Sequence, residues 1–212
     1  MLNKASAGAS PLLSAFVLAA LFIVLALWRG SDDALCYQRE LMAQGQWWRA
    51  FTGHFVHLNL SHALLNSSGA VVMAWVLRRE IPARDWWRIT LVAPFVISLG
   101  LWFKQPSLVS YVGFSGVLHA LLYFGVLRLI PVAPGLALTV LAVLVGRQVW
   151  EQTAAYNPDY LRGLIHGRVM PDAHLFGALT GSALGLWSLG RERLHKGRAT
   201  GYSPGNGSTP DA

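Results

Sequence analysis

Charge and cysteine are both scarce in this chain of 212 residues. Only 13% of its residues are charged, and Cys36 is the single cysteine. One thiol excludes an intrachain disulfide and any zinc or iron–sulfur centre built from this chain's cysteines alone. An ordinary soluble domain carries roughly 25% charged residues, so a large soluble domain is excluded too. Acidic residues number 10. Among the apolar stretches only Asp172, at the entrance of the last one, offers a carboxylate, which argues against a transporter or proton channel. The net charge of +7 does not indicate nucleic acid, because the basic residues lie between apolar runs and form no single stripe.

What the chain has is hydrocarbon. Hydrophobic residues make up 54% of it, with nine Trp. Apolar runs occur at 11–28, 54–77, 87–103, 112–130, 134–150 and 172–190, each near the roughly 20 residues that cross a bilayer core. The expected fold is all-α, a polytopic membrane protein with six transmembrane helices. Its parts are a short cytoplasmic N-terminus (1–10), a membrane domain (11–190) and a basic, then disordered cytoplasmic tail (191–212). The run at 134–150 is the least regular, because Arg147, Gln148 and Glu151 crowd its end. The densest basic clusters, 78–88 and 191–198, fall on one side of a six-span arrangement, which puts both termini in the cytoplasm.

Strongly polar residues inside membrane helices are costly and mark function. The second run carries His54, His57, His62 and Asn66, the fourth carries Ser115 and His119, and the sixth begins with Asp172 and His174. In a six-span chain these three helices all enter from the outer face, so their polar residues share one depth. At 100° per residue His62 and Asn66 share a helix face, as do Ser115 and His119. Gly177, Gly181 and Gly185 recur every four residues on the His174 face, a stripe that admits close helix approach. Gly113 and Gly116 flank Ser115. The chemistry available is acyl transfer: Ser115 as nucleophile, His174 as the base that takes its proton, and the Ser115 amide, His62 and Asn66 as oxyanion donors. His57, Ser61, Ser67 and Ser68 would line a wet cavity supplying water.

These residues resemble the motifs of rhomboid intramembrane serine proteases: Trp48-Arg49, His57-x4-His62-x3-Asn66, Gly113-Phe114-Ser115-Gly116 and Ala173-His174-x-x-Gly177-x3-Gly181. The resemblance spans roughly residues 10–190 and implies a rhomboid-like bundle in which Ser115 and His174 form a catalytic dyad without an acid, with His62 and Asn66 at the oxyanion. The compact chain and the stretches 57–66 and 113–119 look most like the bacterial rhombosortases. That likeness implies substrates anchored in the membrane by a GlyGly-CTERM tail, a bacterial inner-membrane location and a site opening to the periplasm. One departure is His119, where many rhomboids carry a Tyr that packs on the catalytic His. Two other readings remain: an inactive rhomboid-like binding protein, and a metal or haem protein ligated by His54, His57, His62, His119 and His174. The expectation is no metal and no cofactor.

Overall fold

The computed structural model describes residues 10–28 and 30–200, with side chains as far as His195. Residues 1–9 of the expected cytoplasmic N-terminus and residues 201–212 of the expected tail lie outside the described residues. Ten helices and one two-stranded ladder make up the described chain. The long helices are α1 (Pro11–Leu27), α5 (Leu60–Val76), α6 (Ala83–Lys104), α7 (Ser115–Leu129), α8 (Pro134–Glu151) and α10 (Pro171–Thr200). Short helices α2 (Ser31–Leu35), α3 (Arg39–Ala43) and α4 (Arg49–Thr52) fold the connection between α1 and α5, and α9 (Arg162–Ile165) lies between α8 and α10. Strands β1 (Tyr37–Gln38) and β2 (Ser110–Tyr111) pair antiparallel, with Tyr37 opposite Tyr111.

Helix starts follow local chemistry. Ser10 caps α1 through the Leu13 amide, with Pro11 at the first position, where a missing N–H costs nothing. The second apolar run does not become helical at residue 54 as expected. Asn59, in extended backbone, accepts the His62 amide through its side chain and starts α5 at Leu60. His54 and His57 therefore sit in the preceding turns, off the helix. α10 runs to Thr200, past the expected end at 190; Arg128 of α7 pairs there with Glu192.

The core gathers Leu18 and Phe22 of α1, Trp86, Ile89, Ile97 and Leu101 of α6, and Phe114, Leu121 and Phe124 of the α7 region. The outside is also apolar: Phe16, Leu99, Phe103 and Val143 are each more than half exposed. A bundle with hydrocarbon on both sides suits a lipid surround. Among the described residues α6 alone is, by length and composition, long and apolar enough to cross a membrane, while α1, α5 and α7 are shorter apolar helices.

Candidate active site

The site begins with a backbone seam. A Cβ added at Gly177 would overlap the Gly116 carbonyl oxygen, one at Gly181 would overlap that of Ala120, and one at Gly116 would meet the Ala173 oxygen at 2.8 Å. Only hydrogen at these α-carbons lets α7 and α10 approach so closely. The matched pairs 116 with 177 and 120 with 181 also show that the two helices run parallel. On the other side of α7, Gly69 faces Leu118 and Gly125 faces Leu77, so α5 runs parallel to both. The polar residues of α5, α7 and α10 therefore lie at one end of the bundle, as their positions in the apolar runs imply.

Across that seam Ser115 and His174 meet. Ser115 is the first residue of α7, and its Oγ lies 3.1 Å from His174 Nε2. Nδ1 of the same ring lies 2.9 Å from Glu151 Oε2, at the end of α8. A carboxylate only accepts, so Nδ1 carries the proton and Nε2 presents a lone pair to the serine hydroxyl. The serine–histidine pair expected without an acid thus has a carboxylate beside its base. The expectation that Asp172 alone offers a carboxylate among the apolar runs changes with the helix bounds: α6 starts early enough to bury Asp85, and α8 ends on Glu151, whose side chain is fully buried. Glu151 escapes a sequence reading since it closes a different helix from its partner. Arg147, one turn earlier on α8, brings Nη2 to 2.8 Å from Oε1, an ion pair whose angle falls short of an aligned hydrogen bond.

His119 stacks on His174, with ring centroids 4.1 Å apart and planes 13° from parallel. Its Nδ1 lies 2.9 Å from the Ser115 carbonyl oxygen, which can only accept, so that nitrogen bears the proton. The ring thus packs flat on His174 and forms no hydrogen bond with it. His119, Glu151 and His174 are close enough together to suggest a metal centre. Parallel rings, however, aim their lone pairs side by side, and three of the four ring nitrogens' roles are taken up by Ser115 and Glu151. The donor set fits a hydrogen-bonded chain better than a chelate.

Beside Ser115 lies a cavity of about 270 Å³, lined by His62, Asn66, Ser115, His119 and His174 and bounded by Tyr160, Arg168 and Met170 of the α8–α10 connection. Gly113 holds φ at +121°, and a Cβ there would meet His62 Nε2 at 3.0 Å and Asn66 Nδ2 at 3.9 Å. His62 and Asn66 thus converge on the turn that delivers Ser115. Among the described residues the Asn66 amide nitrogen has no hydrogen-bond partner, and the Ser115 amide, in the first turn of α7, has no intrahelical acceptor.

Other residues singled out from the sequence lie elsewhere. His54 Nε2 bonds Ser98 Oγ at 3.0 Å, joining the pre-α5 turn to α6. His57 is buried against Phe22 and sets its ring edge-on to His62, 4.9 Å away; it does not line the cavity. Ser67 is buried without a partner, while Ser61 and Ser68 are exposed. His57, Ser61, Ser67 and Ser68, expected to line a wet cavity, do not line the one observed, which is formed by His62 and Asn66 of α5, by α7 and α10, and by the α8–α10 connection. Trp48 and Arg49 organise the α1–α5 connection: Trp48 donates to the Ala34 carbonyl, and the buried Arg49 guanidinium donates to the Cys36 and Asp33 carbonyls and to Gln46. Asp172 accepts from Lys104 and Gln105, tying the start of α10 to the end of α6.

The sequence that builds this site matches a known family. Residues 44–191 match the Rhomboid domain, a span that takes in α4 to α8 and most of α10 but not α1. Comparison with curated proteins finds no match.

Proposed function

The chain belongs to the rhomboid family and is a membrane protein with an intramembrane protease-like function; from that premise we propose that it is an active serine endopeptidase cutting the membrane anchors of exported proteins. The observation that carries this reading is the 3.1 Å contact between Ser115 Oγ and His174 Nε2, at the wall of a cavity that also holds unpartnered hydrogen-bond donors.

In this reading His174 takes the Ser115 proton on Nε2 while Oγ forms a bond to the scissile carbonyl carbon. The oxyanion that develops accepts from the Ser115 amide, His62 and the Asn66 amide, all available without reorganisation. His174 then passes the proton to the leaving amine as the C–N bond breaks. A water that loses its proton to His174 hydrolyses the acyl-enzyme and restores Ser115. Gly113 and Gly116 bracket the nucleophile, the first leaving room for His62 and Asn66 and the second for the α10 backbone that carries the base. Stacked beneath, His119 limits rotation of the base.

The finer assignments follow the same line. Six spans, α1, α5, α6, α7, α8 and α10, cross a bacterial inner membrane with both termini in the cytoplasm, and the site opens to the periplasm. Substrates are proteins with a Gly-Gly-containing C-terminal anchor of the rhombosortase type, since an anchor helix must unwind before a peptide bond is exposed and glycine favours unwinding. The test is co-expression with a reporter carrying such an anchor. Wild type should release a shortened reporter, and Ser115→Ala should leave it intact at equal enzyme levels. Equal cleavage by both would overturn the nucleophile assignment. A reporter left whole by wild type would overturn the Gly-Gly substrate class.

A further inference from the structure

Glu151 occupies a place that helix energetics disfavours. It is the last residue of α8, where the macrodipole is negative and a carboxylate is destabilising. Its side chain is fully buried, and an unpaired buried charge is costly. The Arg147 pair only partly offsets this, because an acid four residues after its base is the less favourable order on a helix and the Arg147 side chain is 47% exposed. Nothing in the stability of α8 accounts for a carboxylate here. Its other oxygen, however, lies 2.9 Å from His174 Nδ1, on a ring whose opposite nitrogen meets Ser115.

We propose that Glu151, tethered by Arg147, is a positioning residue that turns the serine–histidine pair into a hydrogen-bonded triad, fixing the proton of His174 on Nδ1 and offsetting the imidazolium that forms during acyl transfer. This rests on the protease reading above. An imidazole in isolation exchanges its proton between two tautomers, and only the one protonated on Nδ1 leaves Nε2 free to accept from Ser115. A carboxylate facing Nδ1 selects that tautomer. When the Ser115 proton moves to Nε2, the ring becomes positively charged beside a fixed negative charge, and no proton passes on to Glu151. His119 stacks on the ring but forms no hydrogen bond with it, so stacking can restrict the plane of His174 without choosing its tautomer. Arg147 holds the far oxygen of Glu151 and keeps the near oxygen turned to the ring.

The experiment pairs turnover with a readout that needs no turnover. Glu151→Gln keeps the shape and removes the charge, and it should lower kcat on the Gly-Gly reporter by about 100- to 10,000-fold with KM nearly unchanged and the thermal transition within a few degrees of wild type. In parallel, nitrogen-15 spectra of histidine-labelled Ser115→Ala protein in micelles, at a pH where the ring is neutral, should show the His174 proton on Nδ1. Adding Glu151→Gln should release it to a mixture or to Nε2. A kcat within threefold of wild type in Glu151→Gln would overturn the proposal, as would a His174 proton on Nε2 while Glu151 is present. If Glu151→Gln fails to fold, the spectrum of Ser115→Ala alone decides by the same criterion. A chain that cuts no reporter, yet shows the Glu151-dependent tautomer, would sink the protease reading and leave the triad geometry standing.

Discussion

α10 and α8 both reach His174, but they are held in opposite ways. α10 carries the ring and lies against α7 backbone to backbone, through Gly116, Gly177 and Gly181. α8 brings the acid, yet Leu138, Val143, Val149 and Trp150 face outward and only Ala137, Gln148 and Glu151 are buried on it. The separation of the two helices that carry nucleophile and base is therefore set by main chain, which leaves only the Ser115 and His174 rotamers to be fixed. The distance between base and acid is set by one side chain at the tip of a loosely packed helix. Errors of about 1 Å at a reacting centre can cost on the order of 100-fold in rate, so the step that forms bonds rests on the stiffer of the two supports.

The strongest way to break this contrast is to put a side chain into the seam. Gly177→Val forces α7 and α10 apart, since even a Cβ overlaps the Gly116 carbonyl, and it should abolish both the cooperative thermal transition and activity. Val149→Ala, on the exposed face of α8, should alter neither by more than about twofold. Thermal denaturation in micelles and reporter cleavage check both arms. A stable, active Gly177→Val protein would mean that the seam is not what positions the pair.

Next in size come the side-chain oxyanion donors His62 and Asn66, which belong to neither support because α5 supplies them. His62→Ala and Asn66→Ala should each lower kcat by about 100- to 1000-fold with little change in KM. Steady-state kinetics of the two variants, and of the double variant, would sharpen the comparison by showing how much of the rate is independent of the triad.

The smallest effect concerns the seam side alone. An aromatic pair contributes about 0.5–1.5 kcal/mol, so His119→Ala should cost about two- to tenfold in kcat. His119→Tyr, which keeps a flat ring against His174, should recover most of that loss. Identical rates in the two variants would remove stacking from the account.

These differences in support also explain which parts of the site were legible in the sequence. Ser115, His119 and Gly116 on one helix, and His174, Gly177 and Gly181 on another, carry their relation in helical spacing, and the parallel course of α5, α7 and α10 follows from alternating spans. His62 and Asn66 are one turn apart and read the same way. Glu151 has no such signature: it closes α8, among Arg147 and Gln148, where polar residues read as a helix end. Only the fold brings that end against α10. The start of α5 was misplaced because His54 and His57 continue an apolar pattern, whereas the Asn59 cap decides where the helix begins. Trp48 and Arg49 read as part of a motif, but their hydrogen bonds go to the α1–α5 connection, and no periodicity distinguishes a loop brace from a site residue.

The central claim, that His174 activates Ser115 as a nucleophile, is tested most directly by a fluorophosphonate probe applied to purified wild type, with the adduct mapped by mass spectrometry. The account predicts one adduct, on Ser115, lost in His174→Ala protein that remains folded. An adduct on another residue, or labelling of Ser115 that proceeds at the wild-type rate without His174, would contradict it.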